Sequence, residues 1–333
     1  MLHLRLVVPI DCTEDVISLL SGDAAVTHVT VVYGGARQPA GDLVECDVAR
    51  EAASPLIETL RDLGVERDGG IVASTPDLVM SDAAALAEEA APGLPSDAVV
   101  WEQVEARTSE ETSLSATYLV YLSVALMLAA VGVLLDSPIL IVGAMVVGPE
   151  FGPIAALCVA AVQRRWVVFR QSLVALIVGF PVAMAVTYAF TWLMTALGLF
   201  DPSMLAAERP LTSFIWRPDA ISFVVAFLAG IAGMLSLTTT KSGALVGVLI
   251  SVTTVPAAAN ASVALAYGVL DEFLGSVGQL SLNLLGIITA GIVTLVAQRA
   301  WWDRRTMRSA RDRTSQAVAD AARRDPRRGP DRG

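Results

Sequence analysis

The chain has 333 residues, of which 54% are hydrophobic and 17% charged, and its net charge at pH 7 is −10. This apolar share and the mean hydropathy of +0.61 are typical of an integral membrane protein and exclude a purely soluble domain. The cysteines (Cys12, Cys46, Cys158) and the histidines (His3, His28) are scattered, so their spacing predicts neither a disulfide framework nor a metal site. We expect reduced structural thiols and no cofactor.

Charge divides the chain into three parts. Acidic residues predominate in residues 1–112, residues 113–298 are nearly neutral, and arginines predominate in residues 299–333. The pattern predicts an acidic head, a membrane body and a basic tail. The first residues, MLHLRLVVPIDCTED, alternate like a strand and lack the long apolar core of a signal peptide.

Residues 1–76 predict a soluble α+β domain of the ferredoxin-like type. Strands are predicted at 2–8, 26–34, 42–49 and 70–75, and helices at Thr13–Leu20 and from Ser54-Pro55 to Gly64. The order β-α-β-β-α-β is that of the split βαβ motif. This size and order also suit small regulatory domains that bind a metabolite or a second copy of themselves. Because this stretch contains no phosphate loop, metal cluster or catalytic set, a dimerisation cap without a ligand is the other interpretation.

Two segments flank the membrane body. Residues 77–113 predict a helical linker that stops at Pro92-Gly93 and restarts with Ser96 as an N-cap, and we interpret it as a structural connector. The tail, residues 299–333, is rich in arginine, so we expect it to be attracted to anionic lipid headgroups. Because no aromatic residue follows Trp302, we do not expect nucleic-acid binding.

Six stretches of residues 114–298 are long and apolar enough to cross a bilayer as helices. They are Tyr118–Leu135, Ser137–Val162, Leu173–Leu197, Ala220–Leu237, Gly243–Tyr267 and Leu280–Val296. Basic residues lie between spans two and three, between spans four and five, and after span six. The positive-inside rule therefore predicts a multi-pass protein of the inner (plasma) membrane with both termini in the cytoplasm.

The second span is interrupted at its centre by Gly148-Pro149-Glu150-Phe151-Gly152-Pro153. Each proline removes a backbone donor, and such a break persists at membrane depth only where protein or a water-filled cavity satisfies the freed groups. The fifth span contains Pro256, and residues 244–266 resemble residues 140–162 at an offset of about 104. We predict a 3+3 inverted repeat with broken second and fifth helices, as in transporters. Chance similarity between helices rich in small residues is the alternative.

The motif VGAMVVGPEFGPI, followed later by SGALVGVLISVTTVPAAANASVALAYG and LNLLGIITAGIV, resembles the uncharacterised hydrophobic domain family, also called domain of unknown function 389. The resemblance covers roughly residues 114–298. It implies a six-span membrane protein of a kind that often carries a small soluble domain, and it implies no substrate. Glu150 and Phe151 depart from the small or apolar residues usual at these positions, so a role common to the family need not include Glu150.

The candidate site residues lie at the two interruptions. Glu150 is the only ionisable residue inside a predicted span, which makes it a candidate for binding a cation or carrying a proton. The alternative is that the break lies near an interface and the carboxylate reaches water. Asn260 could coordinate a cation or hold two helices together. The other candidates are Gly148, Pro149, Gly152, Pro153, Thr253, Thr254 and Pro256.

Together these features predict a secondary transporter or channel-like permease for an ion or small solute. Its site would lie between the broken helices two and five, and the cytoplasmic head would regulate it or form a homo-oligomer. A membrane-anchored sensor or scaffold without transport is the alternative. The spans contain no Ser/His set, paired aspartates or HExxH motif, so we do not expect an enzyme. The expected partners are the lipid bilayer, the unknown solute and a second copy of the chain.

Overall fold

The computed structural model describes residues 1–91, 99–110, 114–239 and 244–324. Within these ranges it describes no side chains for residues 107, 109, 110, 244–253 and 302–324. The chain divides into two compact units. The first comprises Met1–Trp101 together with the chain from Ala297 onward, and the second comprises Glu102–Val296.

The first unit is built on a four-stranded antiparallel sheet. The strands are β1 (Leu2–Val8), β2 (Val26–Arg37), β3 (Ala40–Val48) and β4 (Gly70–Ser74), in the spatial order β2-β3-β1-β4. The helices between them are α1 (Thr13–Gly22), α2 (Arg50–Asp62) and the one-turn α3 (Val65–Asp68). The predicted order β-α-β-β-α-β is therefore confirmed.

The period-two alternation of β1 decides which face of the sheet is buried. Leu2, Leu4 and Leu6 are completely buried, whereas Arg5 is exposed. The apolar faces of α1 and α2 cover the leucine face, and Leu20 and Leu60 belong to the same core. The opposite face carries the polar side chains of β1 and β3.

Two boundaries in this unit differ from the sequence prediction. Helix α2 begins at Arg50 rather than at Ser54-Pro55, because Ala53 is buried against the sheet and this packing extends the helix before the proline. Strand β2 continues to Arg37, past the predicted end at Gly34-Gly35, because its pairing with β3 resumes after an irregularity in register.

The linker contains two described helices, α4 (Asp82–Ala90) and α5 (Trp101–Glu110). Ser81 caps α4 by accepting a hydrogen bond from the Ala84 backbone N–H. The predicted stop at Pro92-Gly93 and the predicted N-cap Ser96 lie outside the described residues.

The second unit is helical. Its helices are α6 (Ala116–Leu134), α7 (Pro138–Val147), α8 (Phe151–Gln163), α9 (Trp166–Ala196), the short α10 (Pro202–Ala206), α11 (Ala220–Thr238), α12 (Ala244–Ala266) and α13 (Leu270–Arg324, which continues past the unit). Among the described residues, α6, α9, α11 and residues 270–301 of α13 are long and apolar enough to cross a membrane. The pair α7 and α8 adds a fifth candidate if it forms one span.

The predicted break in the second span is confirmed, and the predicted break in the fifth is wrong. The axes of α7 and α8 differ by 55°. In contrast, α12 is one continuous helix with Pro256 inside it. A proline removes a single backbone donor, and neighbouring helices can accommodate that loss within a membrane bundle.

Helices α8 and α12 form the interior of the second unit. Residues 152–160 of α8 and residues 254–264 of α12 are buried without interruption. A helix that is apolar and buried on every side belongs to the core of a bundle. Helices α9 and α11, in contrast, expose large apolar side chains such as Ile177, Leu193 and Leu228, as helices facing hydrocarbon do.

The buried carboxyl of Glu51 should make the stability of the first unit depend on pH. Both of its carboxylate oxygens are buried and have no hydrogen-bond partner among the described residues. Burial raises the pKa of this carboxyl, and the charge of Glu88 raises it further. The pKa of Glu51 in the folded state exceeds the unfolded value of about 4.3. The contribution of this carboxyl to the stability of the first unit is therefore fully present below that pH. It is lost as pH rises through the folded-state pKa.

We therefore expect Glu51→Gln to stabilise the first unit at neutral pH and to have no stabilising effect near pH 4. The measurement is hydrogen–deuterium exchange of the amides of β1 and β3 in the full chain, corrected for intrinsic exchange rates. The exposed Glu58 of the same helix provides the control Glu58→Gln. Equal protection in Glu51→Gln and the wild type at neutral pH would contradict the expectation.

Candidate functional site

The break between α7 and α8 places its prolines where helices need no backbone donor. Gly148 is the C-cap of α7 and has an extended backbone (φ −66°, ψ 127°). Pro149 lies between the two helices, and Pro153 is the third residue of α8. The first N–H groups of a helix have no partner within the helix, so Pro153 removes none of its hydrogen bonds. The backbone can therefore turn here, and the prolines cost neither helix a hydrogen bond.

Glu150 is the buried carboxylate of this break. The residue is 1% exposed, so it does not reach bulk water as the alternative interpretation required. Its Oε1 accepts a hydrogen bond of 3.1 Å from the hydroxyl of Thr254 on α12. An ionised carboxylate is costly in such surroundings unless a proton, cation or polar partner compensates it.

Asn260 is the centre of a second buried group, which we call the Asn260 cluster. Its Nδ2 donates to Oε1 of Glu272 at 3.0 Å and to the Ser276 hydroxyl at 2.8 Å. Its Oδ1 accepts from Nη1 of Arg209 at 3.2 Å, and Nη2 of Arg209 donates to Oε1 of Glu272 at 2.5 Å. None of the four residues is more than 8% exposed. The Asn260 amide therefore orients a buried ion pair and does more than join two helices.

The Asn260 cluster borders a cavity of about 480 Å³. The cavity is lined by both charges of the pair and by Glu208, Arg217 and Trp216, among others. The loop that carries Arg209 is also tied to the α6–α7 junction, because Asp136 accepts a 2.8 Å hydrogen bond from the Thr212 hydroxyl. Connections from three parts of the unit thus meet at this end.

Pro256 lies beside a smaller cavity of about 220 Å³. The amides of Gln279 and Asn283 on α13 also line it, and Nε2 of Gln279 donates to Oδ1 of Asn283 at 3.3 Å. The proline therefore faces polar side chains of the neighbouring helix.

The structure divides the predicted site residues into two groups along α12. Thr254 meets the break that contains Gly148, Pro149, Glu150, Gly152 and Pro153, whereas Asn260 contacts the loop after α9 and the start of α13. Asn260 lies six residues beyond Thr254, about 9 Å along a helix. The side chain of Thr253 lies outside the described residues.

Sequence reasoning missed Arg209, Glu272 and Ser276 as site residues. The two charged residues fall in predicted loops, where they served only to assign orientation, and 63 residues separate them. The sequence contained one signal. Arg209 and Glu272 have opposite charges, and both lie in connections that were predicted to share one side of the membrane.

The second unit thus has the defining features of a membrane-spanning helical domain: apolar helices of sufficient length enclose a small number of buried polar groups. Residues 145–289 match the family described as Domain of unknown function (DUF389), which confirms the resemblance over this segment. The family description assigns no activity. No curated protein and no solved structure matched the chain.

The stability of the second unit should depend on both members of the buried ion pair in the Asn260 cluster. Removing one charge leaves the other buried and uncompensated, which typically costs about 3–5 kcal/mol. We expect Glu272→Gln to lower the thermal midpoint of the detergent-solubilised protein strongly. The double variant Arg209→Met, Glu272→Met should lower it less, since no lone charge remains.

The exposed Glu208, on the same loop as Arg209, gives the matched control Glu208→Gln, which we expect to leave the midpoint unchanged. Fluorescence-detected size-exclusion chromatography after heating would measure all four proteins. If Glu272→Gln behaves like Glu208→Gln, the pair does not hold this end of the unit together.

Proposed function

We propose that the second unit is a six-span permease, either a secondary transporter or a channel-like protein, that moves an ion or small solute past Glu150. The observation that carries this proposal is the buried carboxylate at the break, which shares a hydrogen bond with Thr254 of the central helix α12. Ionisable residues inside membrane helices commonly mark ion or proton pathways.

The charge of the site favours a proton or a cation. A carboxylate that is 1% exposed is stable when protonated or when a cation neutralises it. The Thr254 hydroxyl, and carbonyl groups at an interrupted helix, are oxygen ligands of the kind that small cations bind. A site of this type releases its proton or cation when the surrounding helices admit water, which is the basis of coupled transport.

The spacing of the two contacting residues supports the inverted repeat. Glu150 and Thr254 are 104 residues apart, the same offset at which residues 140–162 resemble residues 244–266. Equivalent positions of two repeats contact each other only close to the axis that relates the repeats. Residues 152–160 of α8 and residues 254–264 of α12 are also buried without interruption. The site would then lie at the repeat interface near the membrane midplane, even though α12 is not broken.

The contacts between connections support a path of six spans. The α6–α7 junction binds the loop after α9 through Asp136 and Thr212, and that loop binds the start of α13 through Arg209 and Glu272. If successive spans run in opposite directions, these are the connections that share one end. The first, third and fifth connections would then lie on one side of the membrane.

The basic residues favour the cytoplasm for the other side. Arg164, Arg165 and Arg170 follow α8, and Arg165 forms an ion pair with Glu105 of α5. The linker helix α5 would therefore lie on the side of the second connection. By the positive-inside rule we propose a plasma-membrane protein with both termini in the cytoplasm.

The partners that we propose follow from the exposed surfaces. The bilayer would cover the apolar helices, including an apolar cavity of about 770 Å³ between α9, α12 and α13. A second copy of the chain would contact the first unit, where the edge strand β2 exposes Val32 and Tyr33. Transport requires no bond chemistry, so we propose no enzymatic role or cofactor for the second unit.

A flux measurement tests the proposed site. We expect Glu150→Gln to reduce uptake driven by a proton or sodium gradient in proteoliposomes at least tenfold, because an amide neither releases a proton nor neutralises a cation. The assay would follow pH-sensitive and cation-sensitive dyes and a panel of small labelled solutes.

The control for this variant is Glu208→Gln, which changes an exposed acid of the same unit. It should transport like the wild type. If the folded wild-type protein shows no flux with any gradient or solute, the proposal of transport is wrong. The alternative, a membrane sensor or scaffold, then takes its place. If flux occurs but Glu150→Gln leaves it unchanged, the site is wrong.

The proposed path also predicts the sidedness of its connections. In a variant without the partly exposed Cys12, a cysteine introduced at Asp271 should react with a membrane-impermeant maleimide added outside intact cells. A cysteine introduced at Gln163 should react only after the cells are opened. Labelling of both from the same side would contradict six alternating spans.

A further inference from the structure

The two histidines of the chain meet at one carboxylate in the first unit. Nδ1 of His3 lies 2.9 Å from Oδ1 of Asp47, and Nδ1 of His28 lies 2.7 Å from Oδ2 of Asp47. The other ring nitrogen of His28, Nε2, lies 2.9 Å from the hydroxyl of Ser81. These contacts join β1, β2 and β3 to the N-terminus of α4, and nothing in the proposed transport function uses them.

We propose that Ser81, His28 and Asp47 form a nucleophilic triad that cleaves small carboxylic esters. The three contacts have the connectivity that such chemistry requires. A carboxylate accepts from Nδ1 of the imidazole, which leaves Nε2 free to accept the proton of the serine hydroxyl. A triad is recognised by this geometry rather than by the order of its residues in the sequence.

The backbone holds His28 in a special conformation. Its φ is 53°, in the left-handed region, and it lies at an irregularity where the register between β2 and β3 shifts between Thr27 and Thr30. A non-glycine residue in this region is strained and persists only where the surrounding structure holds it. The bulge aims the ring out of the regular strand, so that it lies between Asp47 and Ser81.

Asp47 is kept ionised, as the orienting carboxylate of a triad must be. Burial alone would raise the pKa of this group, but the hydrogen bonds from His28 and His3 outweigh burial and lower it. The second histidine thus fixes the other oxygen of Asp47 and leaves Oδ2 directed at His28. His3 is a positioning residue in this arrangement.

Ser81 is placed where a developing negative charge would be stabilised. It is the N-cap of α4, and its hydroxyl oxygen accepts a long hydrogen bond of 3.4 Å from the N–H of Ala84. Asp82 and Ala83 are the first residues of α4, so their backbone N–H groups have no partner within the helix and are available to a developing oxyanion. The side chain of His28 is 39% exposed, so an ester can approach from the surface.

A metal site is the other chemistry that two histidines and a carboxylate suggest. Within the part of the chain that the structure describes, however, no three histidine, cysteine, aspartate or glutamate side chains are arranged to hold a metal ion. The serine contact also gives His28 a partner at the nitrogen that a base would use.

The reaction balances with an ester and water alone. The hydroxyl oxygen of Ser81 forms a bond to the carbonyl carbon while its proton passes to Nε2 of His28. The ester C–O bond breaks, and the alcohol leaves with that proton. Water then attacks the acyl-serine and gives a proton to His28, the acid departs, and Ser81 regains its hydrogen.

A fluorophosphonate probe tests the proposal on the full chain in detergent. The probe forms an Oγ–P bond with an activated serine and releases fluoride, and peptide mass spectrometry locates the adduct. We expect an adduct at Ser81 in the wild type. We expect its rate to fall about 10²-fold or more in Asp47→Asn, which leaves the shape but changes the tautomer of the imidazole.

Two further variants complete the experiment. His28→Asn removes the base with a residue that tolerates positive φ, and it should also abolish rapid labelling. Ser18→Ala alters an exposed serine of α1, on the other side of the sheet, and should leave labelling unchanged. The proposal is wrong if folded wild-type protein acquires no adduct at Ser81. It is equally wrong if the adduct forms at the same rate without His28 or Asp47.

Discussion

One carboxylate held away from water organises the second unit. An ionised carboxylate in apolar surroundings is costly, so the structure around Glu150 must offer it partners and exclude competing solvent. Helix α7 ends three residues before Glu150, the helix axis turns by 55° at the break, and Thr254 of α12 donates a hydrogen bond to the carboxylate. The buried stretches of the two central helices, residues 152–160 of α8 and 254–264 of α12, lie beside this contact.

The Asn260 cluster plays a different part in the same unit. It contains both members of a buried ion pair, which are oriented by the Asn260 amide, and that amide also donates to the Ser276 hydroxyl. Its loop is tied to the α6–α7 junction, so the cluster fixes one end of the helices while the break lies farther along α12. If the helices rearrange during transport, this end is where they remain connected.

Local patterns in the sequence predicted much of this structure. Contacts between residues that are far apart in the sequence could not be predicted from such patterns. Alternation in LHLRLVV and the turns after it predicted the β-α-β-β-α-β order, and the Gly-Pro pairs predicted the bend. Pro256 did not break α12, because the effect of a proline depends on the helices around it. The Arg209–Glu272 pair and the His28–Ser81 contact could not be inferred, since 63 and 53 residues separate their members.

In the proposed function, Glu150 is a buried group that exchanges a proton or cation during transport. Infrared difference spectroscopy of the reconstituted protein tests it directly, because a protonated buried carboxyl has a C=O stretch separate from those of carboxylates. We expect such a band in the wild type, its loss when pH or the concentration of the transported cation is raised, and its absence from Glu150→Gln. A band that is identical in both proteins, or that no condition changes, would contradict the account.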